Sequence, residues 1–104
     1  MNDVQVQYQG FHPSEFARVY LESLLDQIND RSPYGSLVRA TFTREGERLK
    51  AQVRITSAAG EFFAVAKGRR LREVGRKAFG QIGKQLERWK TERHGGRNHG
   101  IDVA

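Results

Sequence analysis

The sequence contains no cysteine, and this absence removes several classes of protein at once. A chain without thiols has no disulfide framework, no thiolate zinc site and no cysteine nucleophile. No stretch approaches the roughly 18 apolar residues of a membrane-spanning helix, and the opening MNDVQVQYQG lacks the basic start and apolar run of a secretory leader. We therefore expect a cytoplasmic protein that does not associate with membranes and that depends on its packed core for stability.

Acidic residues are scarce relative to basic ones. The 104 residues include 12 Asp and Glu against 18 Lys and Arg, which leaves a net charge of +6. A chain of this length forms one domain, but residues 1–66 carry 7 basic and 8 acidic side chains whereas residues 67–104 carry 11 basic and 4 acidic. This asymmetry indicates one specialised cationic surface and favours a polyanionic partner, nucleic acid first of all.

Patterns typical of metal sites, nucleotide sites and catalytic sites are missing. The three histidines have no cysteine companions, and no spacing puts two of them on one helical face beside a carboxylate. The glycines at 75 and 80 mimic the spacing of a phosphate-binding loop, but Gln81 and Ile82 stand where that motif needs Lys and Ser or Thr. No serine lies near an obvious base in the sequence. We expect no metal, no cofactor and no enzymatic activity.

The first part of the chain reads as a strand followed by a helix. Val4, Val6 and Tyr8 alternate with glutamines, which is the period of a strand with one buried face. Pro13 and Ser14 supply a helix start, and the helix is expected to run to about residue 29. Its apolar positions recur at steps of three and four, at Ala17, Leu21, Leu24 and Ile28, and are flanked by Phe16, Tyr20 and Leu25.

Three further alternating segments predict an antiparallel meander. Turns are expected around Gly46 and over residues 57–60, because glycine and serine interrupt the apolar alternation there. The residues expected to face the core are Val38, Ala40 and Phe42 in the first segment, Leu49, Ala51, Val53 and Ile55 in the second, and Phe62, Ala64 and Ala66 in the third.

The period then changes to 3.6, which predicts a second helix from Arg69 to about Arg93. Apolar residues fill one arc, and eight cations occupy most of the opposite arc: Arg69, Arg70, Arg72, Arg76, Lys77, Lys84, Arg88 and Lys90. Cations on successive turns are spaced to neutralise several phosphates, so this helix predicts RNA or DNA binding. Residues 1–94 are predicted to form the domain, and residues 95–104 a flexible tail with too little apolar surface to order.

Two features of these elements leave alternatives open. Gly75, Gly80 and Gly83 lie inside the second helix at a cost in helix propensity. One explanation is close packing against the first helix or the sheet. The other applies to Gly80, where a glycine leaves room for the backbone to approach a phosphate. Phe63 is predicted on the sheet face opposite both helices, where it stacks on a base, contacts a protein, or is an ordinary exposed apolar residue.

The chain from Val4 to about Arg93 resembles the ribosome hibernation promoting factor family, also called ribosome-associated inhibitors or, for the short type, the sigma-factor modulation protein family. The resemblance rests on the βαβββα order, on the strand ending Ala66, Lys67, Gly68, and on the run Lys84, Gln85, Leu86 followed by Arg88 and Lys90. It implies an α+β sandwich like a double-stranded-RNA-binding domain, with two helices on one face of a four-stranded sheet. It also implies a non-catalytic monomer that occupies the decoding region of the small ribosomal subunit, contacts ribosomal RNA, and inhibits translation or stores ribosomes under stress.

The resemblance and the charge pattern together define a predicted RNA-binding set. The set is Arg69, Arg72, Arg76, Lys77, Lys84, Gln85, Arg88 and Lys90. The first helix departs from the family, since Glu22, Asp26 and Gln27 stand where basic residues are usual. Two alternatives remain open from the residues themselves: a free-standing RNA- or DNA-binding protein, and a protein-interaction adaptor that uses the sheet face around Phe63.

Overall fold

A computed structural model arranges the chain as β1 (Asp3–Gln9), α1 (Glu15–Arg31), β2 (Leu37–Glu45), β3 (Arg48–Ser57), β4 (Gly60–Gly68) and α2 (Leu71–Val103). The structure describes residues 2–103, with side chains for residues 2–92. The predicted α+β class and the βαβββα order are confirmed. α2 continues to Val103, beyond the predicted end at about Arg93. The side chains of the predicted tail, residues 95–104, lie outside those described, and its flexibility stays a prediction. None of the described helices combines the length and apolarity needed to cross a membrane.

The four strands form one sheet in the order β1-β2-β3-β4. β1 pairs with β2 in parallel, and the other two pairs are antiparallel. Parallel neighbours need a crossover connection, which α1 supplies, whereas antiparallel neighbours are joined by short turns. β1 and β4 are therefore the two edges of the sheet. α2 packs against the β4 edge.

The turn between β2 and β3 shows why glycine stands at position 46. Glu45 pairs with Arg48, so only two residues connect the strands. Gly46 has a φ of 66°, a left-handed conformation that glycine adopts without steric penalty. A left-handed first residue is typical of two-residue hairpin loops that match the twist of the strands. The turn predicted around Gly46 is confirmed.

The core lies between one face of the sheet and the two helices. The strand residues predicted to face inwards are buried in β2, β3 and β4, and those of β1 are half-buried. β4 is also an edge, but α2 packs on it and covers its inward residues. α2 packs on β3, β4 and α1. The buried helix residues are Leu21, Leu25 and Ile28 of α1 and Val74, Ala78, Phe79, Ile82 and Leu86 of α2.

The first turn of α1 follows the sequence prediction, with one exception. The Ser14 hydroxyl caps the helix by accepting a hydrogen bond from the Ala17 amide at 3.1 Å. Phe16 was grouped with the apolar face of this helix, yet it is 70% exposed. Its position in the first turn places it beside α2 rather than over the sheet, where Leu21 and Leu25 are buried.

The glycines of α2 differ in their surroundings. Gly75 is buried, and a Cβ atom there would collide with Leu21 of α1 and approach the Phe42 ring. At Gly83 the Arg31 guanidinium lies close and donates a hydrogen bond to the Gly83 carbonyl at 3.0 Å. These contacts confirm the close-packing interpretation for both positions. Gly80 is exposed with open space around it, so packing does not account for it.

Candidate nucleic-acid interface

The solvent side of α2 and its lead-in carries most of the predicted RNA-binding set. Arg69 precedes the helix, which begins at Leu71, two residues later than the periodicity predicted. The exposed members are Arg69, Arg72, Arg76, Lys77, Lys84, Arg88 and Lys90. One helix thus buries its apolar arc in the core and holds these cations in water, as an amphipathic pattern requires.

The cations of α2 lie on two flanks of its exposed arc. Lys77, Lys84 and Arg88 follow one another at steps of seven and four residues, so they form one row that rises by about 16 Å along the helix; we call it the outer row. Arg88 reaches towards the turn before β4, because it lines a shallow pocket with Ala59 and Gly60. The outer row therefore lies on the β4 side of α2.

Arg72 and Arg76 lie on the other flank, towards α1. The Arg72 guanidinium carbon lies 5.2 Å from the centroid of the Phe16 ring in α1. Arg76 lines both clefts that separate the two helices. Lys90 is 18 residues from Arg72, or five full turns, and so belongs to this flank rather than to the outer row. The structure thus separates predicted residues that the sequence placed on one basic arc.

The cations of α2 have no acidic partners among the described side chains. The salt bridges of residues 2–92 use Arg18, Arg31, Arg54 and Lys67, none of which belongs to α2. Glu87 of α2 points to Arg31 of α1, with 3.8 Å between carboxylate and guanidinium. Glu92, one turn after Arg88, lines the same shallow pocket but forms no salt bridge with it. The outer row therefore has no acidic partner within salt-bridge distance among the described side chains.

Gln85 lies apart from the predicted RNA-binding surface. Its amide nitrogen donates a hydrogen bond to the Phe63 carbonyl at 2.7 Å, and its amide oxygen accepts one from the Phe63 N–H at 3.1 Å. Phe63 belongs to β4, whose outward backbone groups have no further strand to pair with. Both polar atoms of Gln85 are engaged there, so this side chain joins α2 to the edge of the sheet. Its role in RNA binding stays a prediction from the family resemblance.

The acidic residues of α1 lie on the flank of that helix remote from α2. Arg18 pairs with Glu15 and Glu22, at 3.9 and 3.3 Å. Glu22 faces Tyr8 of β1: burial is the main cause that raises the pKa of Tyr8, and the Glu22 carboxylate raises it further while Arg18 opposes the shift. Asp26 follows Glu22 by one turn on the same flank. The carboxylates of α1 therefore do not lie beside the cations of α2.

The N-terminal halves of the two helices border an open cleft of about 630 Å³. Its lining residues are Ala17, Tyr20, Arg70, Leu71, Arg72, Glu73 and Arg76. Periodicity assigns Phe16 and Tyr20 to the apolar side of α1, and Arg70 is not in the predicted RNA-binding set. The spacing of Phe16 and Tyr20, one turn apart beside the start of an Arg-rich helix, was the available signal.

The sheet face opposite the helices is a second polar surface. Phe63 is 41% exposed there, as predicted, and the Arg54 guanidinium carbon lies 4.7 Å from its ring centroid. Arg54 is also paired with Glu61 at 3.4 Å, so its charge is partly compensated. No cluster of three possible metal ligands occurs among the residues that the structure describes. Arg39, Arg48 and Lys50 of this face also form no salt bridge among the described side chains, but α2 carries six such cations on one helix. The greater number on α2 makes it the stronger nucleic-acid candidate of the two surfaces.

The geometry defines a two-layer α+β sandwich with a cationic last helix, and solved structures share this fold. The N-terminal domain of Protein Y from Thermus thermophilus superposes with a TM-score of 0.71 at 15% identity, covering 86% of this chain and 99% of that one. A ribosomal subunit interface protein from Coxiella burnetii superposes with a TM-score of 0.71 at 18% identity, covering 88% and 99%.

Comparisons by sequence are negative. No protein-family model matches the chain, and no curated protein matches it. The likeness to solved structures at this level of identity shows the fold, and it confirms the architecture that the family resemblance implied.

Proposed function

We propose that this protein binds ribosomes by placing the cationic side of α2 against ribosomal RNA, and that it acts by occupying a site rather than by catalysis. The observation that carries the proposal is the outer row, Lys77, Lys84 and Arg88, which has no acidic partner among the described side chains. The fold is shared with a protein described as a ribosomal subunit interface protein, which supports ribosomes as the source of the RNA.

Counterion release supplies the driving force in this proposal. Each phosphate that a cation neutralises frees condensed counterions, and log K falls with log salt by about 0.7 to 0.9 per contact. The outer row is already exposed and unpaired, so binding breaks no salt bridge of the free protein. RNA binding through this row should therefore be steeply salt-dependent.

The finer form of the proposal concerns the place and the outcome of binding. We place the protein, as a cytoplasmic monomer, in the decoding region of the small ribosomal subunit, where it inhibits translation or stores ribosomes under stress. Lys84 and Arg88 support this form, since they match the family's RNA-facing positions and also belong to the outer row. The acids of α1 do not oppose it, because Glu22 and Asp26 lie on the flank away from α2.

Charge reversal of the outer row tests the proposal. The variant Lys77→Glu, Lys84→Glu, Arg88→Glu should lose cosedimentation with small ribosomal subunits, and the slope of log K against log salt should fall by about 2 to 3. A matched control reverses three cations on the other side of the molecule, Arg39, Arg48 and Lys50. The control should keep binding within a few fold, because equal net charge leaves only position to differ.

The outcomes separate this function from its alternatives. Binding lost in the control variant but kept in the outer-row variant would move the RNA site to the sheet face. Equal affinity for isolated RNA duplexes and for small subunits would favour a free-standing nucleic-acid binder. Binding to ribosomes that does not weaken with salt, and that Phe63→Ser abolishes, would point to a protein contact of the adaptor type.

A further inference from the structure

The cleft between the N-terminal halves of α1 and α2 points to a second binding element with a chemistry that the outer row lacks. Three arginines, Arg70, Arg72 and Arg76, line the cleft together with Tyr20. None of the three forms a salt bridge among the described side chains. Three unpaired guanidinium groups around one concave space are suited to an anion with several acceptor oxygens, such as a phosphate.

The carboxylate that also lines this cleft does not neutralise it. Glu73 is the single acidic residue in the lining, and its side chain is directed at Gly68, where its Oε1 atom occupies the space that a Cβ would need. Glu73 therefore faces the connection between β4 and α2. The charge of the cleft remains positive.

An aromatic surface accompanies the arginines. Phe16 is 70% exposed, and Arg72, which lines the cleft, lies over its ring at 5.2 Å. A largely exposed ring beside a guanidinium is suited to base stacking, since nucleobases stack on aromatic rings and on guanidinium planes alike. The cleft volume of about 630 Å³ falls within the range of small-ligand pockets.

The geometry points to a site for one unstacked nucleotide of RNA, with its phosphate among Arg70, Arg72 and Arg76 and its base against Phe16. This inference rests on the proposed function, because it gives the same RNA-binding protein a preference for an unpaired nucleotide beside a helical segment. The outer row contacts phosphates of any sequence or pairing state. The site at the cleft, in contrast, binds only a nucleotide whose base is not stacked within a helix.

Two RNA duplexes test the inference, one blunt and fully paired and one identical except for a single unpaired adenosine. Fluorescence anisotropy should show the wild-type protein binding the bulged duplex about tenfold more tightly than the paired duplex, the scale of one stacked base. Phe16→Ala should abolish that preference and leave affinity for the paired duplex unchanged. Arg70→Gln should reduce the preference as well.

Matched controls assign each effect to its surface. Val19→Ala removes another exposed apolar side chain of the same helix, 55% exposed, which has no ring to stack on a base, and it should keep the preference. The outer-row triple variant should weaken both duplexes equally and keep their ratio. If the wild-type protein binds neither duplex, the proposed function is overturned. If it binds both duplexes tightly and equally, only the inference about the cleft is overturned.

Free adenosine monophosphate distinguishes an RNA nucleotide from a small ligand. We expect it to displace the bulged duplex only at millimolar concentration, because a lone nucleotide lacks the contacts of the outer row. Displacement at micromolar concentration, abolished by Phe16→Ala, would show a mononucleotide site and overturn the assignment to RNA. A Phe16→Ala variant that weakens both duplexes equally would also overturn it, since the ring would then not read an unpaired base.

Discussion

At the scale of single residues, Tyr8 combines favourable packing with an unsatisfied polar atom. Its ring stacks on Phe42, with centroids 5.5 Å apart, and meets Phe11 edge-on at 6.0 Å. Its hydroxyl is buried and has no hydrogen-bond partner among the described residues. A buried hydroxyl without a partner costs about 1 to 3 kcal/mol, so the ring stabilises the fold and the hydroxyl opposes it.

Tyr8→Phe should therefore leave the free energy of unfolding unchanged at pH 7 or raise it by about 1 kcal/mol.

The pKa of Tyr8 is raised above its ordinary 10.0, so above that pH the unfolded chain releases a proton that the folded chain retains. The stability that the protonated Tyr8 contributes is fully present below its pKa in the unfolded chain. It is lost as pH rises through its higher pKa in the folded chain. Urea unfolding should show a larger alkaline loss for wild type than for Tyr8→Phe; equal losses would contradict the burial of this hydroxyl.

Two glycines of α2 provide a second test at this scale. Gly80→Ala adds a methyl group to open space, so it should raise the free energy of unfolding by about 0.5 to 1 kcal/mol through helix propensity. Gly75→Ala makes the same chemical change against Leu21 and should lower it by about 1 to 3 kcal/mol. Thermal unfolding checks the two signs, and a stabilised Gly75→Ala variant would contradict the close packing of the helices.

Gly80 also bears on the RNA surface, because it lies between the two cationic flanks of α2. If a phosphate approaches the backbone there, Gly80→Ala should bind RNA more weakly although it folds more stably. Unchanged RNA affinity of Gly80→Ala would show that no phosphate approaches the backbone at this position.

At the scale of secondary-structure elements, the contact between α2 and the edge of β4 controls how the cationic helix is presented. The two hydrogen bonds from Gln85 to the Phe63 backbone tie the helix to a strand that has no outer neighbour. They also occupy backbone groups that would otherwise be open to pairing with another chain. Gln85 is thus a positioning residue for the interface that Lys84 and Arg88 form.

Gln85→Leu should lower the free energy of unfolding by about 1 to 2 kcal/mol, since two hydrogen bonds of modest net strength are lost. The control Gln81→Leu changes an exposed glutamine one turn earlier and should be near neutral. RNA affinity of Gln85→Leu should stay within about twofold of wild type in an anisotropy assay. A loss comparable to that of the outer-row variant would instead assign Gln85 to the RNA contact implied by the family resemblance.

At the scale of the whole molecule, positive and negative charges are segregated within one layer of helices. The carboxylates of α1 lie near β1 and Arg18, whereas the cations of α2 lie near β4 and the cleft between the helices. Gln27, one residue after Asp26, turns to the opposite side and lines the second cleft with Arg31 and Arg76. The side of α1 that adjoins the cations is therefore nearly free of acid, although the helix as a whole is acidic.

Two substitutions that each raise the net charge by one unit test this segregation. Gln27→Lys should tighten RNA binding several fold at low salt, because its ammonium group extends the cationic surface across the groove. Asp26→Asn should leave the affinity unchanged, since its carboxylate lies on the remote flank and screening limits its reach to about 8 Å at 0.15 M salt. The reverse ranking in a salt-titrated binding assay would show that RNA approaches α1 from the β1 side.

The amino-acid pattern by itself determined which elements form and which side of each is apolar. Alternation with a period of two marked Val4, Val6 and Tyr8, and a period of 3.6 separated Val74 and Ile82 from Lys77 and Lys84. These are properties of neighbouring residues on one element, so they need no knowledge of the partners. The cationic side of α2 was predictable for the same reason.

Tertiary structure alone decided which of these side chains meet. Three contacts join residues that are 22 to 56 positions apart in the sequence. They are Arg72 with Phe16, Gln85 with the Phe63 backbone, and Glu87 with Arg31. Periodicity assigns a residue to a side of a helix, but the rotation and offset of packed elements are set by how their side chains interlock. For this reason periodicity grouped Phe16 with the apolar side of α1, whereas packing places it beside Arg72. Gln85 entered the predicted set through the family resemblance, and packing directs its side chain to the sheet edge.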